Sequence, residues 1–178
     1  MTDTTYATVA VLGAGIAQVC AMAGSSVVLQ DLTDEFVQKG LGRIRDFLQK
    51  GVDKGKVPTA QRDDVLSRIT TSTDRAAASR TADLVIEAVP EKLELKNGLF
   101  RELAGVVSPT CVLASNTSSL SLAKVFAGVA GLELQEGSAA ARVWEAERAC
   151  KRTGTPAETV CRSVVLGLAQ RAAQLRRR

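Results

Sequence analysis

Val9-Ala10-Val11-Leu12-Gly13-Ala14-Gly15-Ile16-Ala17-Gln18 decides how the rest of this chain is read. A short apolar run delivers the backbone to a pair of glycines, and small and aliphatic residues follow at once. A strand that ends in a glycine turn and opens a helix leaves the helix's first N–H groups and the positive end of its dipole facing outward, which suits a diphosphate. The next apolar run, Val27-Val28-Leu29-Gln30, ends at Asp31, where an acid would take ribose hydroxyls. Together these features imply the opening βαβ unit of a dinucleotide-binding fold.

The unit is irregular in two ways. The position of the third glycine of G-x-G-x-x-G, which lets helix and strand pack closely, is Gln18. Only thirteen residues, Gly13 to Ser25, are left for turn and helix, close to the minimum of about 10–12 for a parallel crossover. A helix from Ile16 to Ala23 would rise only about 12 Å, barely enough to run back along a five-residue strand.

Going outward, 178 residues with 46% apolar content predict one domain with a real core, and 3% aromatics make that core aliphatic. No apolar run reaches 18 residues, and Met1 to Ala7 is polar without a basic segment. Neither a membrane span nor a signal peptide is expected, and the expected location is the cytoplasm. Cys20, Cys111, Cys150 and Cys161 lack metal-ligand or C-x-x-C spacing, so no metal site is expected and the buried thiols read as small hydrophobes. The chain has no histidine, which removes the side chain most used for proton transfer near neutral pH.

Residues 7–12 and 26–30 read as buried strands, and Thr33-Asp34-Glu35 as the start of an amphipathic helix over 34–54, with Phe36, Val37, Leu41, Ile44, Leu48 and Val52 at helical spacing. A helix from Pro58-Thr59 to Leu66, a short strand from Ile69 to Thr71 and a helical turn from Ala76 to Arg80 follow. The run 82–89 reads as a strand ended by Pro90, Leu93 to Val107 as a helix, 111–114 as a strand, and Leu120 to Phe126 as a helix after a polar loop. Such alternation predicts an α/β, Rossmann-like parallel sheet with helices on both faces, whose ligands sit at the carboxyl ends of the strands. Gly13, Gly15, Asp31, Glu87 to Glu91 and Ser115 to Ser119 all fall at such ends.

After about Gly131 the character changes. Arg142 to Arg178 holds nine Lys/Arg against three Glu, so the tail carries +6 and residues 1–141 carry −2 of the net +4. A helical or disordered tail is expected, with an amphipathic helix near 157–176. It lacks interleaved aromatics and any nucleic-acid module, so nucleic acid is not an expected partner. The division is thus 7–130 as the folded domain and 131–178 as a basic tail.

The chain resembles the NAD-binding domain of the L-3-hydroxyacyl-CoA dehydrogenases, a family that includes 3-hydroxybutyryl-CoA dehydrogenase and lambda-crystallin. The residues that carry the resemblance are Val9 to Gln18, Val28 to Asp31, Thr70 to Asp74, the run from Asp83 to Glu91, Lys96 with Phe100, and Ala114-Ser115-Asn116-Thr117-Ser118-Ser119-Leu120. It implies NAD as cofactor and an acyl-CoA as substrate. By the same resemblance Gly13 and Gly15 face the cofactor, Asp31 binds the adenosine ribose, and Glu91 and Lys96 lie along NAD. Ser118 touches both cofactor and substrate, and Lys54 approaches the CoA moiety.

Two departures from the family pattern follow. The usual opening resembles G-A-G-T-M-G-A-G-I-A-Q, five residues longer than the sequence here, and loss between its two G-A-G copies would leave the observed Gly13 to Gln18. The family's histidine, in an H-F-F-N-P segment some twenty residues after S-N-T-S-S, is replaced by Glu136-Gly137-Ser138-Ala139-Ala140-Ala141. Loss of this base implies a chain that is catalytically incompetent by itself. The alternative is a non-enzymatic NAD-binding remnant, or a truncated product whose tail comes from a shifted reading frame. Ending the sheet near Gly131 leaves a strand edge and an apolar patch, so self-association is expected.

Among blander readings, Ser118 or Ser119 caps the following helix, Lys54 is a solvated lysine at a helix end, and Asp31 is a solvated strand-end acid. Glu87 and Glu91 could form an acid/base pair, but no sequence feature signals a raised pKa, so the cofactor-rim reading is preferred.

Overall fold

The computed structural model describes residues 6–127 and 129. Five strands, β1 (Thr8–Leu12), β2 (Ser26–Gln30), β3 (Ile69–Ser72), β4 (Leu84–Glu87) and β5 (Val112–Ser115), form one sheet in the order β3-β2-β1-β4-β5. Every pairing is parallel, with Val9 opposite Val27 on one side and Leu84 on the other. The chain builds outward from β1 to β3 and then returns to lay β4 and β5 on β1's other side. The reversal opens a crevice between the carboxyl ends of β1 and β4, the place where open α/β sheets bind ligands.

Both faces are covered, as the apolar strands require. Val9, Val11, Val27, Leu29, Leu84 and Ile86 pack in one cluster with residues of α1 (Ala14–Met22), α2 (Asp34–Asp53) and α3 (Thr59–Ser67). Ala10 and Val85 point the other way, toward Leu99, Phe100 and Leu103 of α5 (Leu93–Ala104) and Val125 of α6 (Leu122–Val125). The short α4 (Arg75–Arg80) lies between β3 and β4 in the chain, and its N-cap Asp74 accepts from the Ala77 N–H at 2.9 Å.

The crossover after β1 closes by dispensing with a loop. Gly13 is the single residue between β1 and α1, so the helix opens two residues earlier than its pattern suggests. Its other end is cut short by Gly24, whose φ of +96° lets Gly24 N–H bond to Ala21 O and Ser25 N–H to Cys20 O. That paired arrangement stops a helix abruptly and reverses the chain into β2. The helix start at Thr33 forms as expected, with its hydroxyl accepting from Phe36 N–H at 3.3 Å.

Several expected boundaries shift. Of the run 82–89 the strand proper is Leu84–Glu87: Asp83 still bonds Thr8 O and Val112 N–H through its backbone at 2.9 Å each while its carboxylate accepts from Thr8 N–H at 3.1 Å, and Val89 N–H turns back onto the Glu87 side chain at 2.5 Å. α5 stops at Ala104 rather than Val107, where Gly105, Val106 and Val107 close a turn onto Glu102 and Leu103. α6 is confined to Leu122–Val125, and β5 runs one residue later than expected. Of the apolar stripe on α2, Val37, Leu41, Ile44 and Leu48 are buried but Phe36 is half exposed, since it lies at the edge of the stripe. The tail from 131 and its expected helix near 157–176 lie outside the described residues.

Candidate cofactor site

The carboxyl ends of β1, β2, β4 and β5 gather Gly13, Asp31, the turn from Ala88 to Glu91, and the loop from Asn116 to Ser119. No side chain caps α1, and its first turn contains no acid. The first helical bond runs from Ala17 N–H to Gly13 O at 3.0 Å, so the amides of Ala14, Gly15 and Ile16 have no partner in the helix. A Cβ placed on Gly15 would meet nothing within 4 Å, whereas one on Gly13 would meet the Ala88 Cβ at 3.0 Å. Gly13 thus sits where the turns after β1 and β4 come so close that a side chain would press on Ala88, and Gly15 faces open space. Three donors and no competing acid in the first turn, taken among the described residues, together with that space fit a diphosphate.

Asp31 is exposed at the end of β2, and its Oδ1 accepts from Leu32 N–H at 2.8 Å. The buried Gln30 side chain, which the sequence reading passed over, curls forward so that its amide donates to the Asp31 carbonyl at 2.7 Å. The acid expected to hold a ribose thus stands on a braced turn.

The other half of the rim is built on two glutamates and a lysine. Glu87 and Lys96 are both fully buried, and their Oε1 and Nζ atoms lie 2.7 Å apart. Glu87 Oε2 accepts from the Ser115 hydroxyl at 2.6 Å, and Lys96 Nζ also donates to Val89 O at 3.2 Å and faces Glu91 Oε2 at 3.3 Å. Glu91 Oε1 gathers the loop: it accepts from the Thr117 hydroxyl at 2.5 Å, from Ser118 N–H and Ser119 N–H at 2.9 Å each, and from the Ser119 hydroxyl at 3.1 Å. Thr117 Oγ1 in turn accepts from Leu120 N–H at 3.1 Å, closing a turn ahead of α6. α6 starts at Leu122, with Val125 N–H on Ser121 O, so Ser118 and Ser119 stand ahead of the helix start rather than at it.

Glu87 is the clearest correction to the sequence reading. It stands at the carboxyl end of β4 as expected, yet its side chain is fully buried beneath the rim. A charged residue inside the apolar run Leu84-Val85-Ile86-Glu87, nine positions before a lysine on the next helix, was the signal that could have revealed the pair. Lys96 lies beneath the rim, between the two glutamates. Ser118 is exposed, and the neighbouring hydroxyls of Ser115, Thr117 and Ser119 are all taken up by the two carboxylates. Lys54 stands apart, exposed at the far end of α2, about 30 Å of helix from Thr33 at 1.5 Å per residue.

Burial alone would raise the Glu91 pKa, but the hydrogen bonds from Thr117, Ser119 and Ser118 outweigh it and hold the carboxyl well below the usual carboxylate range. A folded-state value below the unfolded one, about 4.3, stabilises the fold fully above that range and is lost as pH falls through the folded value. The Ser118 and Ser119 amides are therefore expected to stay protected from exchange at pH 6 and to lose protection only in strong acid. Amide exchange followed by NMR checks this, and free exchange of both amides at pH 6 would contradict it. Cys111 behaves oppositely, its thiol pushed up to about 11 by burial and by the charge of Asp83, which leaves it protonated and unreactive near neutrality.

The family profile described as 3-hydroxyacyl-CoA dehydrogenase, NAD binding domain, matches residues 8–134. The chain belongs to this family. As a member of the 3-hydroxyacyl-CoA dehydrogenase NAD-binding domain family, it is 44% identical over 109 residues to a probable 3-hydroxybutyryl-CoA dehydrogenase of Deinococcus radiodurans, covering 61% of this chain and 38% of that protein. It is 40% identical over 119 residues to the human mitochondrial hydroxyacyl-coenzyme A dehydrogenase, covering 64% and 38%. Among solved structures it resembles the 3-hydroxybutyryl-CoA dehydrogenase of Escherichia coli with a TM-score of 0.67 at 39% identity, over 69% of this chain and 27% of that one. The chain therefore spans less than two fifths of the length of these relatives.

Proposed function

We propose that this chain binds NAD along the carboxyl rim of its sheet, as the cofactor half of a dehydrogenase acting on L-3-hydroxyacyl-CoA thioesters in the cytoplasm. The observation that carries this reading is the convergence, around one crevice, of the uncapped α1 amides, exposed Asp31 and the Glu91-braced Ser118 loop. The α1 amides beside Gly13 and Gly15 would hold the diphosphate and Asp31 the adenosine ribose. Glu91 and Lys96 would hold the loop along the cofactor, and Ser118 would offer its hydroxyl to cofactor and substrate. Lys54 would meet the CoA moiety from the end of α2. Bound NAD would supply the hydride acceptor for oxidation of the 3-hydroxyl.

With no histidine in its 178 residues, the chain has none of the base that would take the hydroxyl proton. Loss of a positioned general base typically costs about 10²–10⁴-fold. NADH fluorescence titration of the purified chain is expected to show saturable binding, while acetoacetyl-CoA with NADH gives no turnover. Absence of binding would overturn the cofactor reading, and turnover within about 10²-fold of an ordinary ~10 s⁻¹ would overturn the inactive one.

A further inference from the structure

Glu87 closes β4 between Leu12 on one neighbouring strand and Ser115 on the other, with none of its side chain exposed. One carboxylate there receives donors from three separate elements: Lys96 Nζ on α5, Val89 N–H on the turn after β4, and the Ser115 hydroxyl ending β5. The three protons of Lys96 have three acceptors within 3.3 Å, which are Glu87, the Val89 carbonyl and Glu91. Glu91 holds Lys96 with one oxygen and the loop with the other. A continuous relay thus runs from inside the sheet to the exposed Ser118, through Lys96 and Glu91.

We propose that Glu87 is a positioning residue for the cofactor rim, fixing Lys96 and through it the Glu91 carboxylate that shapes the Asn116–Ser119 loop. Burying an ion pair is a poor way to close a core, because apolar residues of similar volume usually hold a fold as well or better. What apolar residues cannot do is orient an ammonium toward Glu91, or hold Ser115 and the Val89 turn at fixed positions around one carboxylate. The pair gives this sheet a rigid floor under the one rim loop that carries an exposed, uncommitted hydroxyl. Glu87 touches no ligand itself and acts only through its neighbours. The proposal deepens the NAD reading, and its link to cofactor affinity rests on that reading.

The test uses the full chain with Glu87→Gln, and with Glu87→Gln and Lys96→Met together so that no buried charge is left alone. Amide exchange at Ser118 and Ser119 reads the loop directly, without cofactor, and exchange at Val9 to Val11 reports the sheet. In the double variant, exchange at Ser118 and Ser119 is expected to rise at least about tenfold, as for loss of one charged hydrogen bond, with Val9 to Val11 little changed, whereas Glu87→Gln alone, which takes from buried Lys96 its nearest carboxylate, raises exchange at both. NADH affinity is expected to fall by a similar factor. Unchanged exchange at Ser118 and Ser119 in the double variant, with the sheet intact, would overturn the proposal and leave Glu87 a core residue only. If the parent chain binds no NADH, the cofactor reading fails by itself, and the exchange comparison still decides whether Glu87 positions the loop.

Discussion

Replacing Lys96 by methionine is expected to destabilise the domain by about 3–5 kcal/mol, the usual loss when one partner of a buried ion pair is removed. The Glu87 carboxylate would keep only Val89 N–H and the Ser115 hydroxyl as donors, with no access to water. Domains of this size are commonly stable by only about 5–15 kcal/mol, so the variant should melt far below the parent. Urea and thermal unfolding followed by circular dichroism measure the effect. Adding Glu87→Gln to Lys96→Met removes the stranded charge, and the double variant should recover much of the loss, giving a large coupling between the two positions. By contrast, Arg68→Ala should cost only about 1 kcal/mol, since its pairing with Asp64 lies at the surface and its further bond is a single one to Gly24 O at 2.9 Å. If Lys96→Met proved as mild as Arg68→Ala, water would have to reach Glu87, and the rigid floor described for the rim would not exist.

Most of the fold was legible because parallel sheets write themselves plainly into sequence. Strands buried on both faces read as short apolar runs, and Thr33 and Asp74 mark helix starts with side chains that bond the first-turn amides. Strand limits were less legible. Asp83 and Val89 flank the strand, and the Asp83 carboxylate takes Thr8 N–H while Val89 N–H turns back onto Glu87, contacts that only the assembled sheet creates. The site divided in the same way. Gly13, Asp31 and the Ser118 loop stand at strand ends, and position along the chain was enough to find them. The inner relay depends on α5 laying Lys96 beneath the turn after β4, and no local pattern states where a helix will dock. Gln30 was invisible for a similar reason, since its amide works on the backbone of its own neighbour.

Inserting Gly-Ala-Gly-Thr-Met between Leu12 and Gly13 is expected to tighten NADH binding at least tenfold while slightly lowering stability. The present connection is the single residue Gly13. A diphosphate there meets only the amides of the first turn of α1. A longer glycine loop would add backbone N–H groups around the same anion, and each charge-assisted hydrogen bond contributes about 1.5–3 kcal/mol. One such bond is already worth a factor of about ten. Against this, extending a one-residue connection to six costs roughly 1.5 kcal/mol in closure entropy, since the cost grows only with the logarithm of loop length. That entropy is lost once, on folding, and therefore appears in the melting temperature rather than in the affinity. NADH titration and thermal melts of the two proteins separate these effects. Tighter binding with a slightly lower Tm would show that the length of the β1–α1 turn limits the cofactor site. Unchanged affinity would place the main hold on the cofactor at Asp31 and the Glu91-braced loop, on the β2 and β5 sides of the crevice.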